Sequence, residues 1–253
     1  MLDKVGRYEF LAEPFHCDFS KRLFIGHLGN HLLNAADFHA NDRGFGMSQL
    51  NPAHKTWVLS RLAIEMQEIP AEYVRFNVET WIEGVMKCFT NRNFRIIDAG
   101  DESKVYGYGR SIWALIDTGT RQPENILEIE GGSVAEYVDA DKKCSIGFLS
   151  RVKMTNKAQL VASVPTHYSD VDVNGHINSV KYIEHVLDLF DVEFYKKNTV
   201  KRLDIAYVAE SHYGDVLSFY REETGNGTFS IRITKRSPGN EAETEVCRCK
   251  ISV

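Results

Sequence analysis

Three side chains that could do chemistry lie at alternate positions in the second half of the 253-residue chain. Asp172, Asn174 and His176 provide a carboxylate, an amide and an imidazole in one short stretch. An amphipathic helix is predicted directly after them, because apolar residues recur at steps of three and four: Ile177, Val180, Ile183, Leu187 and Phe190. Asn174 is predicted to cap this helix, and Gly175 to let the backbone turn. The positive end of the helix dipole would then face the three groups and could stabilise an oxyanion.

The same residues also have a simpler interpretation. Asp and Asn often precede a helix only as caps, and a histidine beside them can be an ordinary surface residue. Spacing alone leaves both interpretations open, because caps are far commoner than active sites. Other parts of the sequence must therefore decide between them.

The D-x-N-x-H string at 172–176 resembles the signature of acyl-acyl carrier protein thioesterases of plants and bacteria. The segment 201–217 looks like the strand that carries the catalytic glutamate of that family, here Glu210. The resemblance extends to segments 57–61 and 111–116, and so covers nearly the whole chain. It implies an α+β double hotdog fold, in which two tandem antiparallel sheets each wrap a helix. It also implies hydrolysis of an acyl thioester to a free fatty acid.

The resemblance assigns catalytic roles to Asp172, Asn174, His176 and Glu210. In one version of the chemistry, Glu210 or Asp172 activates water as a general base. His176 then positions a reacting group or supplies a proton, while Asn174 orients the thioester carbonyl or the attacking group. In the other version a carboxylate attacks directly and forms a short-lived anhydride, and the sequence leaves both open. Ser211 stands where many plant members carry cysteine, and no G-x-S-x-G motif surrounds it, so we expect it to support the site rather than to act as the nucleophile.

The order of secondary-structure elements is predicted to repeat along the chain. A lead strand, a helix at 23–38 and a run of strands make up residues 1–130, the N-terminal hotdog domain. A polar, turn-rich linker is predicted at 131–155, and residues 156–253 repeat the order as the C-terminal hotdog domain. Since the first half lacks the acid-amide pair, we expect it to form the acyl-chain pocket and the second half to carry the catalytic residues.

The two halves share a short sequence echo. Gly26-His27 and Gly175-His176 both stand at the start of the helix predicted in their half, but no acid or amide precedes His27 at the matching positions. The histidines of the first helix have no carboxylate at ligand spacing, so no metal site is expected there. Three tryptophans on predicted strands are most simply core aromatics, with the alternative that one of them lines the acyl tunnel: Trp57, Trp81 and Trp113.

Composition narrows the classes of protein that the chain could belong to. The net charge is −5, from 30 basic and 35 acidic residues, and no basic block occurs, which disfavours general nucleic-acid binding. No apolar run approaches the roughly 20 residues of a membrane-spanning helix. The N-terminus lacks the apolar core of a signal peptide, so we expect a cytoplasmic protein. Nucleotide and zinc motifs are absent from the sequence, and no cofactor is expected.

The partner that the resemblance implies is an acyl carrier protein bearing an acyl-phosphopantetheine group. Such carriers present an acidic helix, so a compact basic patch is predicted to dock them: Lys181, Lys196, Lys197, Lys201 and Arg202. Two rival functions share the fold, namely hydrolysis of acyl-coenzyme A and non-catalytic binding of an acyl chain. Acyl-chain length and oligomeric state, including a homodimer, remain open.

Overall fold

The chain folds as two compact units, Met1–Leu149 and Ser150–Val253. The computed structural model describes residues 2–129, 133–149, 151–225, 227–240 and 242–253. Within those residues, every helix is too short or too polar to cross a bilayer.

The first unit is built on five antiparallel strands: β1 (Gly6–Leu11), β2 (Lys55–Met66), β3 (Arg75–Met86), β4 (Phe89–Asp98) and β5 (Val105–Asp117). They lie side by side in the order β1-β3-β4-β5-β2. The helices of this unit are α1 (Ile25–Asp42), α2 (Met47–Leu50) and α3 (Ser133–Glu136). A 3-10 turn at Pro14–His16 leads from β1 towards α1.

Helix α1 packs an apolar stripe onto the sheet, chiefly onto β3. The buried stripe has the predicted three-four spacing and includes Leu28, Leu32, Ala35 and Ala36. The helix is longer than predicted, because the stripe continues through Ala40 and the last helical residue is Asp42. Gly44, with a φ of +82°, then takes the backbone out of the helix.

Residues that follow β5 return to the core of the first unit. Val134 is buried in one apolar cluster with Phe45, Ile82 and Leu115. The Trp81 indole nitrogen donates a hydrogen bond to the carbonyl of Lys142 at 3.0 Å. Much of the segment 131–155, predicted as a linker, is therefore part of this unit.

The end of the segment 131–155 belongs to the second unit instead. Residues 131, 132 and 150 lie outside the described residues. Thr155 already belongs to the second unit, where its amide donates to Glu222 Oε1 at 2.9 Å. The guanidinium of Arg248 likewise donates to the carbonyl of Val152 at 3.3 Å.

The second unit also has five antiparallel strands: β6 (Gln159–Pro165), β7 (Arg202–Tyr207), β8 (Val216–Gly225), β9 (Thr228–Arg236) and β10 (Thr244–Ser252). Their order is β6-β8-β9-β10-β7. This is the order of the first unit: the first strand lies at one edge, the third, fourth and fifth follow, and the second ends the row. The helices are α4 (Ser179–Leu187) and α5 (Val192–Lys197).

Helix α4 packs on its own sheet as α1 does in the first unit. Its buried residues are Val180, Tyr182, Ile183 and Val186. The Tyr182 ring lies 5.9 Å from that of Tyr207 on β7, and the Tyr207 hydroxyl donates to the carbonyl of Ser179 at 2.7 Å. A helix against a five-stranded antiparallel sheet thus occurs twice with one connectivity, which confirms the α+β double hotdog fold.

Candidate active site

The candidate residues of the second unit sit in a tight turn that precedes α4. In this segment, 172–177, which we call the Asp172 turn, the Asp172 amide donates to the carbonyl of His176 at 2.8 Å, and the Gly175 amide donates back to the carbonyl of Asp172 at 3.0 Å. Asp172 Oδ1 accepts from the amides of Asn174 and His176 at 2.8 and 3.2 Å. Gly175 has a φ of +79°, which favours glycine. One carboxylate and one glycine therefore hold the backbone that presents the His176 ring.

The predicted helix cap is wrong. Helix α4 starts at Ser179, and its N-cap is Asn178, whose side chain accepts from the Val180 amide at 2.9 Å. Asn174 is instead exposed in the turn. The helix starts later than predicted because the hydrogen bonds of the turn occupy the preceding residues. The three polar groups consequently lie one turn before the helix dipole rather than at its end.

Glu210 reaches the Asp172 turn from the loop that follows β7. The Ile177 amide donates to the carbonyl of Ser211 at 2.9 Å, which ties the two segments together. Glu210 lies beyond the last strand residue, Tyr207, and not on the strand itself. Its Oε2 is 3.3 Å from Nε2 of His176, with side-chain exposures of 33% and 26%. The acid and the imidazole form a solvent-accessible pair.

His212 completes the cluster and was not among the predicted residues. Its ring centroid lies 5.0 Å from that of His176 in an edge-to-face arrangement. Ligand atoms of His176, Glu210 and His212 all lie within 4.8 Å of one another, close enough to hold a metal ion. The sequence could have indicated His212, because it lies two residues after Glu210. Side chains two apart in an extended segment project to the same side.

A buried aspartate anchors the loop that carries His212. Asp215 Oδ2 accepts from the His212 amide at 2.9 Å and lies 3.3 Å from Lys235 Nζ. Burial would raise the pKa of Asp215, but hydrogen bonds from Ser237, the His212 amide and Lys235 lower it. Asp215 is therefore an ionised anchor that positions the loop.

The last of the predicted residues is Ser211, which was expected to support the site. Ser211 is fully buried, and its hydroxyl makes no hydrogen bond with the part of the chain that the structure describes. Its carbonyl, which accepts from Ile177, is what ties the loop to the turn. A buried hydroxyl behind the site can shape the backbone, but it presents no accessible oxygen to a thioester carbon.

The surface beside the Asp172 turn is unusually apolar for an exposed region. Tyr168, Val173 and Tyr213 are 89%, 91% and 70% exposed. They line an open depression of about 780 Å³ together with Ser169, Val171 and Asp172. Contiguous exposed apolar groups beside polar ones commonly mark a ligand surface.

The first unit contains a separate cavity of about 190 Å³. Apolar residues form most of its wall: Leu33, Ala36, Ala40, Phe45, Met47, Trp57, Ile82 and Trp113. Two of the predicted core tryptophans thus line a cavity, while Trp81 is packed in the core. Arg92 and Asp37 add charge to the wall. Burial, followed by the nearby charge of Arg43, lowers the pKa of Arg92 to about 9, and burial raises that of Asp37.

Comparison with known families settles the kinship of the chain. The model of the acyl-ACP thioesterase N-terminal domain matches residues 4–130, and that of the C-terminal domain matches residues 153–251. The chain belongs to the acyl-ACP thioesterase family. Both hotdog units of this family are therefore represented.

Several acyl-ACP thioesterases resemble the chain in structure. A crystal structure of an acyl-ACP thioesterase from Bacteroides thetaiotaomicron is 48% identical, with a TM-score of 0.89, and the match covers 98% of this chain and 97% of that one. The 12:0-ACP thioesterase from Umbellularia californica shares the fold at 20% identity, with a TM-score of 0.83 and coverage of 100% and 98%.

Plant acyl-ACP thioesterases are more distant in sequence. The oleoyl-acyl carrier protein thioesterase 2 of Arabidopsis thaliana is 22% identical over 88% of this chain and 64% of its own length. The palmitoyl-acyl carrier protein thioesterase of the same plant is 25% identical over 87% of this chain and 56% of its own length. The chain thus spans less than two thirds of each of these relatives.

The basic residues predicted to dock a carrier are not equally available in this member of the acyl-ACP thioesterase family. Lys181 pairs with Glu184 at 2.6 Å and Lys196 pairs with Glu193 at 2.7 Å. Arg202 pairs with the buried Asp204 at 2.8 Å. Lys197 and Lys201 are exposed and form no ion pair with the described residues.

Proposed function

We propose that this chain is an acyl-acyl carrier protein thioesterase, which hydrolyses the thioester to a free fatty acid and the holo carrier protein without a cofactor. The observation that carries the proposal is the His176–Glu210 pair, whose atoms lie 3.3 Å apart in a solvent-accessible turn. A proton acceptor beside an imidazole is what hydrolysis by activated water needs. Family membership and the name of the 48% identical neighbour support the same activity.

In the mechanism that the geometry favours, Glu210 is the general base. It takes a proton from water as the water oxygen bonds to the thioester carbon, and the carbonyl becomes an oxyanion. When this intermediate collapses, the carbon–sulfur bond breaks and the sulfur leaves. The proton held by Glu210 passes through His176, 3.3 Å away, to the sulfur. The pair then returns to its starting state.

Asp172 and Asn174 take different parts in this mechanism. Asp172 already accepts two main-chain amides through Oδ1, so its role is to position the turn rather than to activate water. Asn174 is exposed, and its amide is available to orient the thioester carbonyl. His212 lies edge-on to His176 and limits the movement of that ring.

The second mechanism, direct attack by Glu210, is recognised by an isotopic label or a trapped adduct on Glu210 itself. Single-turnover hydrolysis in ¹⁸O water should place the label in the fatty acid and leave Glu210 unlabelled if Glu210 acts as a base. An ¹⁸O label in Glu210, or a hydroxamate there after hydroxylamine trapping, would establish an anhydride instead. Peptide mass spectrometry reads both outcomes.

The first unit is proposed to bind the acyl chain. Its cavity is mostly apolar and is lined by residues of α1 and by two tryptophans, as an alkyl chain requires. The Asp172 turn and the loop of Glu210 both belong to the second unit. The division of labour proposed is therefore chain selection in the first unit and chemistry in the second.

The test of the proposed function is a hydrolysis assay on two carriers. Acyl carrier protein and coenzyme A bearing the same acyl chain should be compared across several chain lengths. Faster turnover on the carrier protein supports the proposal, and faster turnover on coenzyme A favours the rival thioesterase. Acyl binding without turnover on either carrier would favour the non-catalytic module.

Docking of the carrier is proposed to use Lys197 and Lys201. Their charges are not neutralised by neighbouring carboxylates, in contrast to that of Arg202, which pairs with buried Asp204. Charge reversal of Arg202 would leave two acids facing each other and damage the fold. Lys197→Glu with Lys201→Glu should instead raise the KM for the carrier substrate, with a smaller difference at high salt. A small thioester without the carrier is the control, and an equal loss on both substrates would contradict docking.

A further inference from the structure

A second cluster of imidazole and carboxylate groups lies in the first unit. It combines Glu13 and His16, from the 3-10 turn after β1, with His31 of α1. Glu13 Oε2 lies 3.1 Å from Nδ1 of His16 and 4.0 Å from Nε2 of His31. One ligand atom from each residue lies within 4.8 Å of the other two.

The imidazole of His31 is the unusual member of this cluster. Its Nε2 is buried and makes no hydrogen bond with the described residues, although it points towards Glu13. A buried polar atom without a hydrogen-bond partner is destabilising, and a bound ion would satisfy it. At 4.0 Å the two atoms are too far apart for a hydrogen bond.

The geometry points to a site for a divalent transition metal, of the Zn²⁺ class, ligated by Glu13, His16 and His31. Metal–nitrogen and metal–oxygen bonds of about 2.0–2.2 Å place neighbouring ligand atoms of a tetrahedral ion roughly 3.2–3.6 Å apart. Glu13 and His16 already lie 3.1 Å apart, so binding requires these two more exposed side chains to move towards His31 by up to about 1 Å. Both are about 40% exposed, so they can move and leave room for water as a further ligand.

The surroundings of the cluster suit a metal ligand set. His27 stacks on His16 with ring centroids 4.1 Å apart, which orients that imidazole. The His31 ring packs 4.6 Å from Phe10 and 5.6 Å from Phe76.

The second unit supplies an internal comparison. Isolated bridges Cys17–Leu23 and Val171–Ile177 occupy the same place in the two units, between the 3-10 turn and the long helix. Counted from these bridges, His31 corresponds to His185, and His16 to Asp170.

The corresponding groups of the second unit form a simpler arrangement. His185 Nε2 lies 3.4 Å from Asp170 Oδ1, and Asp170 Oδ2 is occupied by the His167 amide at 2.7 Å. Among the described residues this place does not gather three ligand groups. The first unit therefore has two imidazoles and a carboxylate where the second has one acid–imidazole pair.

The experiment uses the full chain, freed of metal with a chelator and carrying His212→Gln to remove the other three-residue cluster. Zn²⁺ binding is measured by calorimetry, and Co²⁺ binding by its visible absorption. Glu13→Gln and His16→Gln should each weaken Zn²⁺ binding by at least the roughly tenfold that loss of a supporting outer group costs. His185→Gln is the matched control and should leave the affinity unchanged.

Two outcomes would overturn the site. One is the absence of saturable Zn²⁺ binding in the His212→Gln protein. The other is affinity that is equal in the Glu13→Gln and His16→Gln variants and in their parent. Both substituted residues are partly exposed, so circular dichroism should show a retained fold. A change in affinity then reports the loss of a ligand.

Discussion

The two units contain the same turn with different side chains. In the first unit, residues 18–23 form what we call the Asp18 turn. The Asp18 amide donates to the carbonyl of Arg22 at 2.8 Å, the Lys21 amide donates to the carbonyl of Asp18 at 2.9 Å, and Asp18 Oδ1 accepts from Ser20 at 2.8 Å. The Asp172 turn has the corresponding bonds at 2.8, 3.0 and 2.8 Å. Lys21, with a φ of +61°, even adopts the left-handed conformation of Gly175.

The tie to the following loop is also repeated. The Leu23 amide donates to the carbonyl of Pro70 at 3.0 Å, as that of Ile177 does to Ser211. His176 therefore corresponds to Arg22, and Glu210 to Ile69. The echo between Gly26-His27 and Gly175-His176 is wrong in register. The residue that matches His176 is Arg22, which precedes α1, whereas His27 lies within that helix.

This comparison separates the scaffold from the chemistry. An aspartate that holds a turn occurs in both units, so it is not by itself a catalytic feature. The acid–imidazole pair of the second unit is replaced in the first by Arg22, whose guanidinium donates to the carbonyl of Ile69 at 2.8 Å. Two side-chain positions therefore distinguish a proposed active site from a structural turn.

The largest effect is expected from removal of the pair itself. Glu210→Gln keeps the shape of the side chain but cannot accept a proton, so turnover should fall by roughly 10²–10⁴. Arg22→Gln changes the corresponding turn of the first unit and should leave turnover near normal. Steady-state assays on the two folded variants compare their turnover. Equal losses of turnover would show that both turns act only through stability.

The cavity should control chain length and not the chemistry. Ala36→Leu fills part of it, and should lower kcat/KM for the longest accepted chain by about 10–200-fold. Leu33→Ala enlarges the cavity and should shift preference to longer chains. Turnover of a short acyl substrate serves as control. A preference unchanged by both substitutions would contradict acyl binding in the first unit.

A substitution series at Asp172 tests whether that residue positions or catalyses. Asp172→Asn retains an oxygen that can accept from the two amides, so activity should fall by less than about tenfold. Asp172→Ala leaves both amides without this acceptor and should lower activity further. A loss with Asp172→Asn as large as that with Glu210→Gln would make Asp172 a base. Asp18→Ala, the counterpart, should lower unfolding free energy by about 1 kcal/mol without a specific loss of activity.

The smallest effect concerns the loss of folding stability of the first unit at acidic pH. His39 is fully buried, and burial, followed by the charge of Arg92, lowers its pKa from 6.5 to about 2. The unfolded chain therefore binds a proton below pH 6.5 that the folded chain excludes. Stability from this residue is complete above pH 6.5 and decreases as the pH falls, by about 1.4 kcal/mol per pH unit at most.

His39→Gln supplies the measurement. Glutamine can still donate to the carbonyl of Lys4, which His39 contacts at 3.0 Å, but does not titrate. Denaturant unfolding at pH 7 and pH 5 should show a smaller loss of stability in the variant than in the parent. Parallel pH dependences would mean that other groups dominate.

The sequence determined the features that depend on near neighbours. The three-four stripes of α1 and α4 and the segmentation of the strands follow from local periodicity, and the fold follows from their repetition. The resemblance also singled out His176 and Glu210, whose proximity the structure shows. It did not identify Asn178 as the cap, because Asn174 and Asn178 have the same capping chemistry and only the turn's own hydrogen bonds decide between them.

Tertiary structure alone decided which distant groups meet. His212 joins His176 because one backbone hydrogen bond, from Ile177 to Ser211, aligns two segments that are far apart in sequence. Glu13 meets His31 only because the turn after β1 packs against α1. Such contacts depend on how elements pack, and periodicity carries no information on that. The resemblance therefore indicated which side chains could react, and packing decided which partners they have.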